Sequence, residues 1–309
     1  MEYHIPVLLN ECMEGLAIRP DGVYVDATFG GGGHSRAILQ HLGEEGRLLA
    51  FDQDADAHNN IPEDSRFTFI GENFRYLKNY LRLNSVRHID GLLADLGVSS
   101  HQFDEAGRGF TFREDGPLDL RMNQRHGTTA ADLINTLSEN ELARLLHLYG
   151  ELSCAGAMAR AIVRARDQEP ITTTLALRAA VQRQLPRGAE NKYLAMLFQA
   201  LRIEVNGEME ALKALLSQAV EMLNPSGRLV VISYHSLEDR LAKNMMKTGN
   251  VEGDLKKDFY GNPLVPLRPV NRKVIVPSTE EQERNNRSRS AKLRVAEKLP
   301  ERPESPNRG

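Results

Sequence analysis

The stretch GVYVDATFGGGGHSRAILQ, residues 22–40, predicts a strand, a glycine loop and a helix in immediate succession. Gly22–Phe29 is rich in β-branched and aromatic residues, which favours a strand, and the segment from His34 to Gln40 has helical periodicity. Further strands are predicted at 47–52, 67–70, 89–96 and 228–233. Short strands that alternate with helices are typical of a parallel sheet with crossover helices.

The alternation stops after Gln102, and from about Thr128 to Gln184 the sequence has helical periodicity with few β-branched runs. We therefore expect an α/β fold in which a doubly wound core, residues 1–104 and 190–298, is interrupted by an inserted all-helical domain, residues 105–189. The remaining residues, 299–309, are rich in proline and charge, which predicts a disordered tail.

Two later features of the core are also predicted. A long amphipathic helix is expected from about Tyr193 to Leu223, with an interruption near Gly207, because glycine disfavours the helix interior. The segments Arg272–Val276 and Ala291–Val295 have the composition of a closing hairpin pair.

The composition limits the class of protein. The chain has 309 residues, with 39 Lys and Arg against 42 Asp and Glu, so a net charge of −3 gives no overall positive field. Cys12 and Cys154 are the two cysteines and have no metal-ligand or CxxC spacing, which argues against a disulfide framework and a structural zinc site. No apolar run approaches the length of a membrane span. We expect a soluble cytoplasmic protein with no metal and no membrane contact.

The glycine loop and two acids predict a nucleoside cofactor. Gly30–Gly33 lacks the GK[ST] ending of a phosphate loop, and four glycines exceed the needs of a tight turn. Asp52 follows about 20 residues later, where an acid meets ribose hydroxyls in NAD and S-adenosylmethionine sites alike, although it could be a solvated acid. Asp26 suits either a cationic amino acid group or an ordering contact to the loop, and neither suits a pyrophosphate, which favours the sulfonium cofactor.

A third acid, Asp95, lies at the carboxyl end of the predicted fourth strand. A carboxylate there could accept a hydrogen bond from an exocyclic base amine and direct the nitrogen lone pair at a methyl group. Asp95 could equally cap its loop, with Ser99 and Ser100 bonded to the turn backbone. The residues alone leave both interpretations open.

Three further segments have two interpretations each. Ser236, three residues before Asp239, has the pattern of a helix N-cap, and His235 beside it could face a substrate or be structural. The run Arg284–Ser290 contains Arg and Asn, which suit phosphate and base-edge contacts, but it could be a solvated face. The aromatic side chains Phe103, Phe110 and Phe112 could stack an unpaired base or pack the insertion against the sheet.

Taken in order, these motifs closely resemble those of the RsmH (MraW) family of bacterial methyltransferases. The resemblance extends over nearly the whole chain, and it rests on the segments 26–34, 95–100, 108–112, 115–122, 198–206 and 235–240. It implies a Rossmann-like methyltransferase core with S-adenosyl-L-methionine as cofactor. The substrate implied is the 4-amino group of a cytidine in 16S ribosomal RNA, within a 30S particle.

The resemblance also implies the site residues. The family's cofactor contacts fall on Gly32, Gly33, His34, Asp52, Phe74, Asp95 and Gln102. Asp95 is in addition the candidate acceptor for the amine. Two other functions remain as alternatives: an NAD-dependent oxidoreductase, which shares the glycine loop and Asp52, and a non-catalytic RNA-binding assembly factor.

Overall fold

The computed structural model describes residues 6–300, so the tail predicted at 299–309 lies, from residue 301 onward, outside the described part of the chain. Within it, seven strands form one sheet: β1 (Val23–Asp26), β2 (Arg47–Phe51), β3 (Phe67–Ile70), β4 (Ile89–Asp95), β5 (Leu223–Ser233), β6 (Leu267–Pro269) and β7 (Lys292–Lys298). Four of them match the predicted early strands closely, and β1 ends early because the Asp26 carboxylate accepts the backbone N–H of Thr28 in a turn.

The strands lie in the order β3-β2-β1-β4-β5-β7-β6. Strands β1 to β5 are parallel to one another, whereas β7 is antiparallel to both β5 and β6. From β1 the chain builds the sheet toward one edge, through β2 to β3. It then returns to the other side of β1 with β4 and continues toward the opposite edge. This reversal places the carboxyl ends of β2, β1 and β4 side by side, which is the position where open α/β sheets bind ligands.

The predicted hairpin between Arg272–Val276 and Ala291–Val295 is confirmed at one antiparallel pair only and forms no ladder. Among the described residues, Ile275 pairs with Leu293 in an isolated bridge, and the Val295 N–H is donated to the Asn271 side chain. The long ladder of β7 is instead with β5, from the pair Ser233 and Lys292 to the pair Arg228 and Glu297.

The helices are α1 (Leu9–Leu16), α2 (Gly33–His41), α3 (Leu77–Leu83), α4 (Ser100–Asp104), α5 (Ala130–Thr136), α6 (Glu139–Gly150), α7 (Ala155–Arg166), α8 (Thr174–Val181), α9 (Glu190–Asn206), α10 (Glu208–Met222), α11 (Ser236–Thr248) and α12 (Thr279–Arg284). The predicted break near Gly207 is confirmed, since this residue has a left-handed φ of 57° between α9 and α10. In residues 6–300, no helix has both the length and the apolar character that crossing a membrane requires.

The described residues fold into two compact units, the first made of residues 6–97 and 209–300 and the second of Val98–Glu208. The first holds the whole sheet, and its core consists of apolar side chains on both faces, such as Leu92 and Leu215 on one and Leu48 and Leu293 on the other. The second is helical, and α6, α7 and α9 supply much of its core. Helix α9, which the sequence assigns to the α/β core, contributes Leu194, Phe198 and Leu201 to this helical core.

Candidate active site

Three acidic residues lie at the carboxyl ends of three neighbouring strands. Asp26 and Asp95 are the last residues of β1 and β4, and Asp52 follows β2 directly. The pairing of Asp26 with Ala50 and with Leu93 fixes these ends at the same edge of the sheet. The three acids therefore lie at one edge of the sheet.

The glycine loop connects β1 to α2, and side chains bind its backbone: Asp52 accepts the Gly30 N–H, Asn60 donates to the Gly30 carbonyl and Arg36 donates to the Gly31 carbonyl. Gly32 has a φ of 73°, a conformation that glycine adopts without strain, and it precedes the first turn of α2. A Cβ atom on Gly31 would meet nothing within 4 Å, whereas one on Gly33 would lie 2.3 Å from the Pro6 ring. The loop thus has open space beside Gly31 and packs tightly against Pro6 at Gly33.

Both carboxylate oxygens of Asp26 accept hydrogen bonds from the protein itself. Its side chain is buried, with Oδ2 accepting a 2.7 Å hydrogen bond from the Ser35 hydroxyl and Oδ1 accepting the Thr28 N–H at 3.0 Å. Burial raises the pKa of Asp26, while His34 and these hydrogen bonds oppose the rise. The residue therefore orders the loop and the start of α2, and Ser35 is a contributor that the sequence did not single out.

Asp52 fixes the glycine loop from β2. Its Oδ2 accepts the Gly30 N–H at 2.7 Å and its Oδ1 accepts the Asp54 N–H at 2.9 Å. Burial raises the pKa of Asp52 to about 6, against these two backbone hydrogen bonds. A carboxylate has about four lone-pair sites, so each oxygen keeps one for a ligand hydroxyl.

Asp95 forms a network with residues from three other segments. Tyr234, just after β5, donates its hydroxyl to Asp95 Oδ1 at 2.8 Å, and His34 Nδ1 lies 3.8 Å from Oδ2. The Asp95 N–H binds the Thr28 hydroxyl at 2.7 Å. Burial raises the pKa of Asp95 to about 6, and His34 and the Tyr234 hydroxyl counteract this.

His34 is anchored at its second ring nitrogen. Nε2 lies 3.1 Å from the carbonyl oxygen of Val7, so a proton on Nε2 is donated to that carbonyl and Nδ1 is left facing Asp95. The ring is buried, which holds it in this orientation. Its side chain therefore lies at the acidic edge of the sheet, and its contact with a cofactor stays a prediction.

The other two predicted cofactor residues lie in different parts of the chain. Phe74 begins a short 3-10 helix after β3, where Asn73 caps the turn, and it packs against the sheet core while partly exposed. Gln102 belongs to the unit Val98–Glu208. Its side-chain oxygen accepts the Ser99 N–H at 3.0 Å in a capping box at the start of α4.

The N-cap predicted at Ser236 is wrong by one residue. His235 is the cap of α11, and Glu238 completes a capping box with it, whereas Ser236 is the first helical residue. His235 Nε2 also lies 3.0 Å from a carboxylate oxygen of Glu238. The structure thus gives His235 a local role at the beginning of α11.

The aromatic and basic segments named in the sequence fall into different environments. Phe110 is buried and Phe112 packs against Phe198 with ring centroids 5.5 Å apart, so both stabilise the helical unit itself. In the run 284–290 the arginine side chains are exposed, while Ser288 is buried and anchors the segment. RNA contact by this run stays a prediction.

The sheet is mostly parallel, and its strand order reverses between β1 and β4, where the glycine loop and the acids lie. This arrangement defines the class of α/β proteins that bind a nucleoside cofactor. The family model that matches residues 1–299 is that of the MraW methylase family, and the chain belongs to this family. The chain is similar to three relatives that are each named ribosomal RNA small subunit methyltransferase H. That of Bacteroides thetaiotaomicron is 59% identical over 96% of this chain and 98% of its own length. The proteins of Parabacteroides distasonis and Flavobacterium johnsoniae are 58% and 54% identical, with 96% and 97% of this chain and 98% and 99% of their own length covered.

Among solved structures, an rRNA methylase from Streptococcus thermophilus superimposes with a TM-score of 0.42 and 11% identity, over 96% of this chain and 99% of that one.

Proposed function

We propose that this protein transfers a methyl group from S-adenosyl-L-methionine to the exocyclic 4-amino group of a cytidine in small-subunit ribosomal RNA. The observation that carries the proposal is the edge of the sheet where Asp26, Asp52 and Asp95 lie beside the glycine loop. The relatives' names support the RNA substrate, and membership of a methylase family disfavours the NAD-dependent oxidoreductase.

The residues at this edge fit the cofactor. S-adenosyl-L-methionine carries a sulfonium group, and when bound it supplies an activated methyl group. Asp52, with a free lone pair on each oxygen, would hold the ribose hydroxyls, and the partly exposed ring of Phe74 would cover one face of the adenine. Gly32, Gly33 and His34 would line the loop side, and we assign Asp95 and Gln102 to the same set.

Negative charge favours this cofactor over a dinucleotide. The carboxylates of Asp52 and Asp95 attract a cationic ligand and repel a pyrophosphate, and the buried Asp26 adds to the negative potential of this edge. The loop has no lysine in the position where a phosphate loop carries one. The electrostatics therefore match a ligand that is positively charged at its reactive centre.

Asp95 would act on the nucleophile. The amine of cytosine is a weak nucleophile because its lone pair delocalises into the ring, and a carboxylate that accepts an amine N–H opposes this delocalisation. The Tyr234 hydroxyl occupies one lone pair of Oδ1, so the remaining positions on the carboxylate are available to the amine. The role requires the ionised form, which exists above the raised pKa of about 6.

The base has to leave its stack to reach this edge. Since small-subunit RNA is the substrate, we place the enzyme in the cytoplasm and propose the 30S particle as its target.

The test is methyl transfer from labelled S-adenosyl-L-methionine to 30S particles from cells that lack this gene, followed by mass spectrometry of the RNA nucleosides. The expected product is a cytidine that carries a methyl group on its 4-amino nitrogen, absent from the mutant cells and restored in vitro. Methylation at carbon 5 or at a ribose would refute the proposed position. Complete absence of transfer, with normal binding to the particle, would favour the assembly factor. Asp95→Asn serves as the matched variant, with S-adenosylhomocysteine affinity measured alongside.

A further inference from the structure

A cleft of about 260 Å³ lies on the first unit, and none of the three acids lines it. It is lined by Lys243, Met246, Lys247, Pro269, Asn271, Arg272, Arg294 and Val295, so four of its lining residues are basic and none is acidic. Arg294 is paired with Asp239 at 2.7 Å. Lys243, Lys247 and Arg272 have no ion-pair partner within residues 6–300, which leaves three uncompensated positive charges around the cleft.

Two of these cations are placed together by the helix itself. Lys243 and Lys247 are four residues apart on α11 and therefore share one face of the helix. Like charges at this spacing repel each other, so the arrangement favours an anion that bridges them. Arg272 approaches from the segment after β6 on the other wall of the cleft.

A hairpin with an aromatic tip connects the two walls. It spans residues 256–264, with Lys257 paired to Pro263 and with the Leu264 N–H donated to the Lys256 carbonyl. The chain enters it after α11 and leaves it into β6, so the hairpin is joined directly to both sides of the cleft.

The tip of the hairpin displays two rings to solvent. Phe259 is 96% exposed and Tyr260 is 86% exposed, with their ring centroids 5.5 Å apart at an interplanar angle of 86°. The Asp258 side chain accepts the N–H groups of Tyr260 and Asn262, which holds the turn in shape. A folded protein gains nothing from exposing two rings on an ordered turn, so this arrangement indicates a binding function.

We infer that the hairpin and the cleft form a single RNA-binding surface, in which the cleft binds backbone phosphates and the Phe259–Tyr260 tip stacks on an unpaired base. This inference rests on the proposed function for the identity of the RNA. Aromatic side chains beside a row of cations are the combination that single-stranded nucleic acid requires, because rings stack on bases while Lys and Arg neutralise phosphates. This surface in the carboxyl-terminal part of the chain is locally positive, although the net charge of the whole chain is −3.

Two double variants of the full chain separate the two contributions. Phe259→Ala with Tyr260→Ala removes the rings, and Lys247→Glu with Arg272→Glu reverses two charges of the cleft. Leu83→Ala, at a leucine that is 76% exposed, and Arg82→Glu with Arg87→Glu are the matched controls. Binding is measured to 30S particles from cells that lack the gene and to deproteinised small-subunit RNA, over a range of salt concentrations. Calorimetry with S-adenosylhomocysteine checks that every variant keeps its fold.

Loss of the rings should weaken binding to both RNA probes about tenfold, with the salt dependence unchanged. Charge reversal should weaken binding and reduce the slope of log affinity against log salt by about 1 to 2, since each phosphate contact contributes about 0.7 to 0.9. The controls should bind as the wild type does.

Wild-type affinity of both double variants for deproteinised RNA would overturn the inference. Weaker binding to particles alone would assign the surface to a ribosomal protein and would overturn it equally. Binding is read without methyl transfer, so a wild-type protein that binds RNA as expected but transfers no methyl group would contradict the proposed function only.

Discussion

Tyr234→Phe removes a single hydroxyl, which donates a 2.8 Å hydrogen bond to Asp95 Oδ1. The aromatic ring and its packing are retained, so the change acts mainly on the carboxylate. Asp95 already has a pKa of about 6 because burial outweighs the stabilising effects of His34 and Tyr234. Loss of a hydrogen bond to a charged group, worth about 1.5 kcal/mol at least, should raise this pKa by about one further unit.

The consequence depends on pH. Near pH 6 about half of the wild-type carboxylate is ionised but only about a tenth of that in the variant, so methyl transfer should slow about fivefold. Near pH 8 both are about 90% ionised or more, and the two rates should nearly coincide. The assay is single-turnover transfer to 30S particles with cofactor at saturation, followed across this pH range.

A rate that falls by the same factor at every pH would refute the reasoning, since it would show that the hydroxyl acts through structure and not through the ionisation of Asp95. Tyr76→Phe, at a tyrosine that is 47% exposed, is the control for loss of a phenol and should leave the profile unchanged.

Three other expectations can be checked on the purified protein. Asp52→Asn should weaken S-adenosylhomocysteine binding at least about tenfold by calorimetry, because a charged acceptor for hydroxyl groups is lost; unchanged affinity would contradict the ribose role. Gly33→Ala should destabilise the protein by about 1 to 3 kcal/mol in thermal unfolding, because its Cβ would lie 2.3 Å from Pro6, whereas Gly31→Ala, with open space, should not. Asp95→Asn should gain stability relative to the wild type as pH rises from about 4 to about 6, by up to about 3 kcal/mol in denaturant unfolding. Within that interval the unfolded Asp95 is ionised while the folded one still holds its proton, so wild-type stability falls with pH; parallel curves for the two proteins would argue against a raised pKa.

Much of the acidic edge could be predicted because each of its acids follows a recognisable strand. Asp26, Asp52 and Asp95 come at the ends of short apolar runs, and the ends of parallel strands meet at one edge. The partner of Asp95 could not be found in this way. Tyr234 is 139 residues further along the chain, and its approach depends on the pairing of β4 with β5, in which Asp95 lies opposite Ile232.

The remaining wrong predictions concern the exact start of a helix and the pairing partner of a strand. At the start of α11, Glu238 and Asp239 could each complete a capping box, and the sequence pattern favoured Ser236 although His235 forms the cap. Near the carboxyl end of the chain, residues 272–276 have the composition of a strand. However, β6 already pairs with the last three residues of β7, from Ala296 to Lys298. The hairpin at 256–264 carried no motif, and only its exposure makes its aromatic pair conspicuous.

The sheet is built from both ends of the chain, and this has a consequence for its synthesis. Strand β4 ends at residue 95, but its neighbour β5 begins only at residue 223, and the Leu8 N–H is bound by Glu281 near the other end of the sequence. The helical unit, Val98–Glu208, is continuous and can fold as it leaves the ribosome. During that interval the nascent β4 has an open edge, which is prone to aberrant pairing. We therefore expect the newly made chain to depend on chaperones at an intermediate length, between completion of α4 and emergence of β5, more than at any later stage.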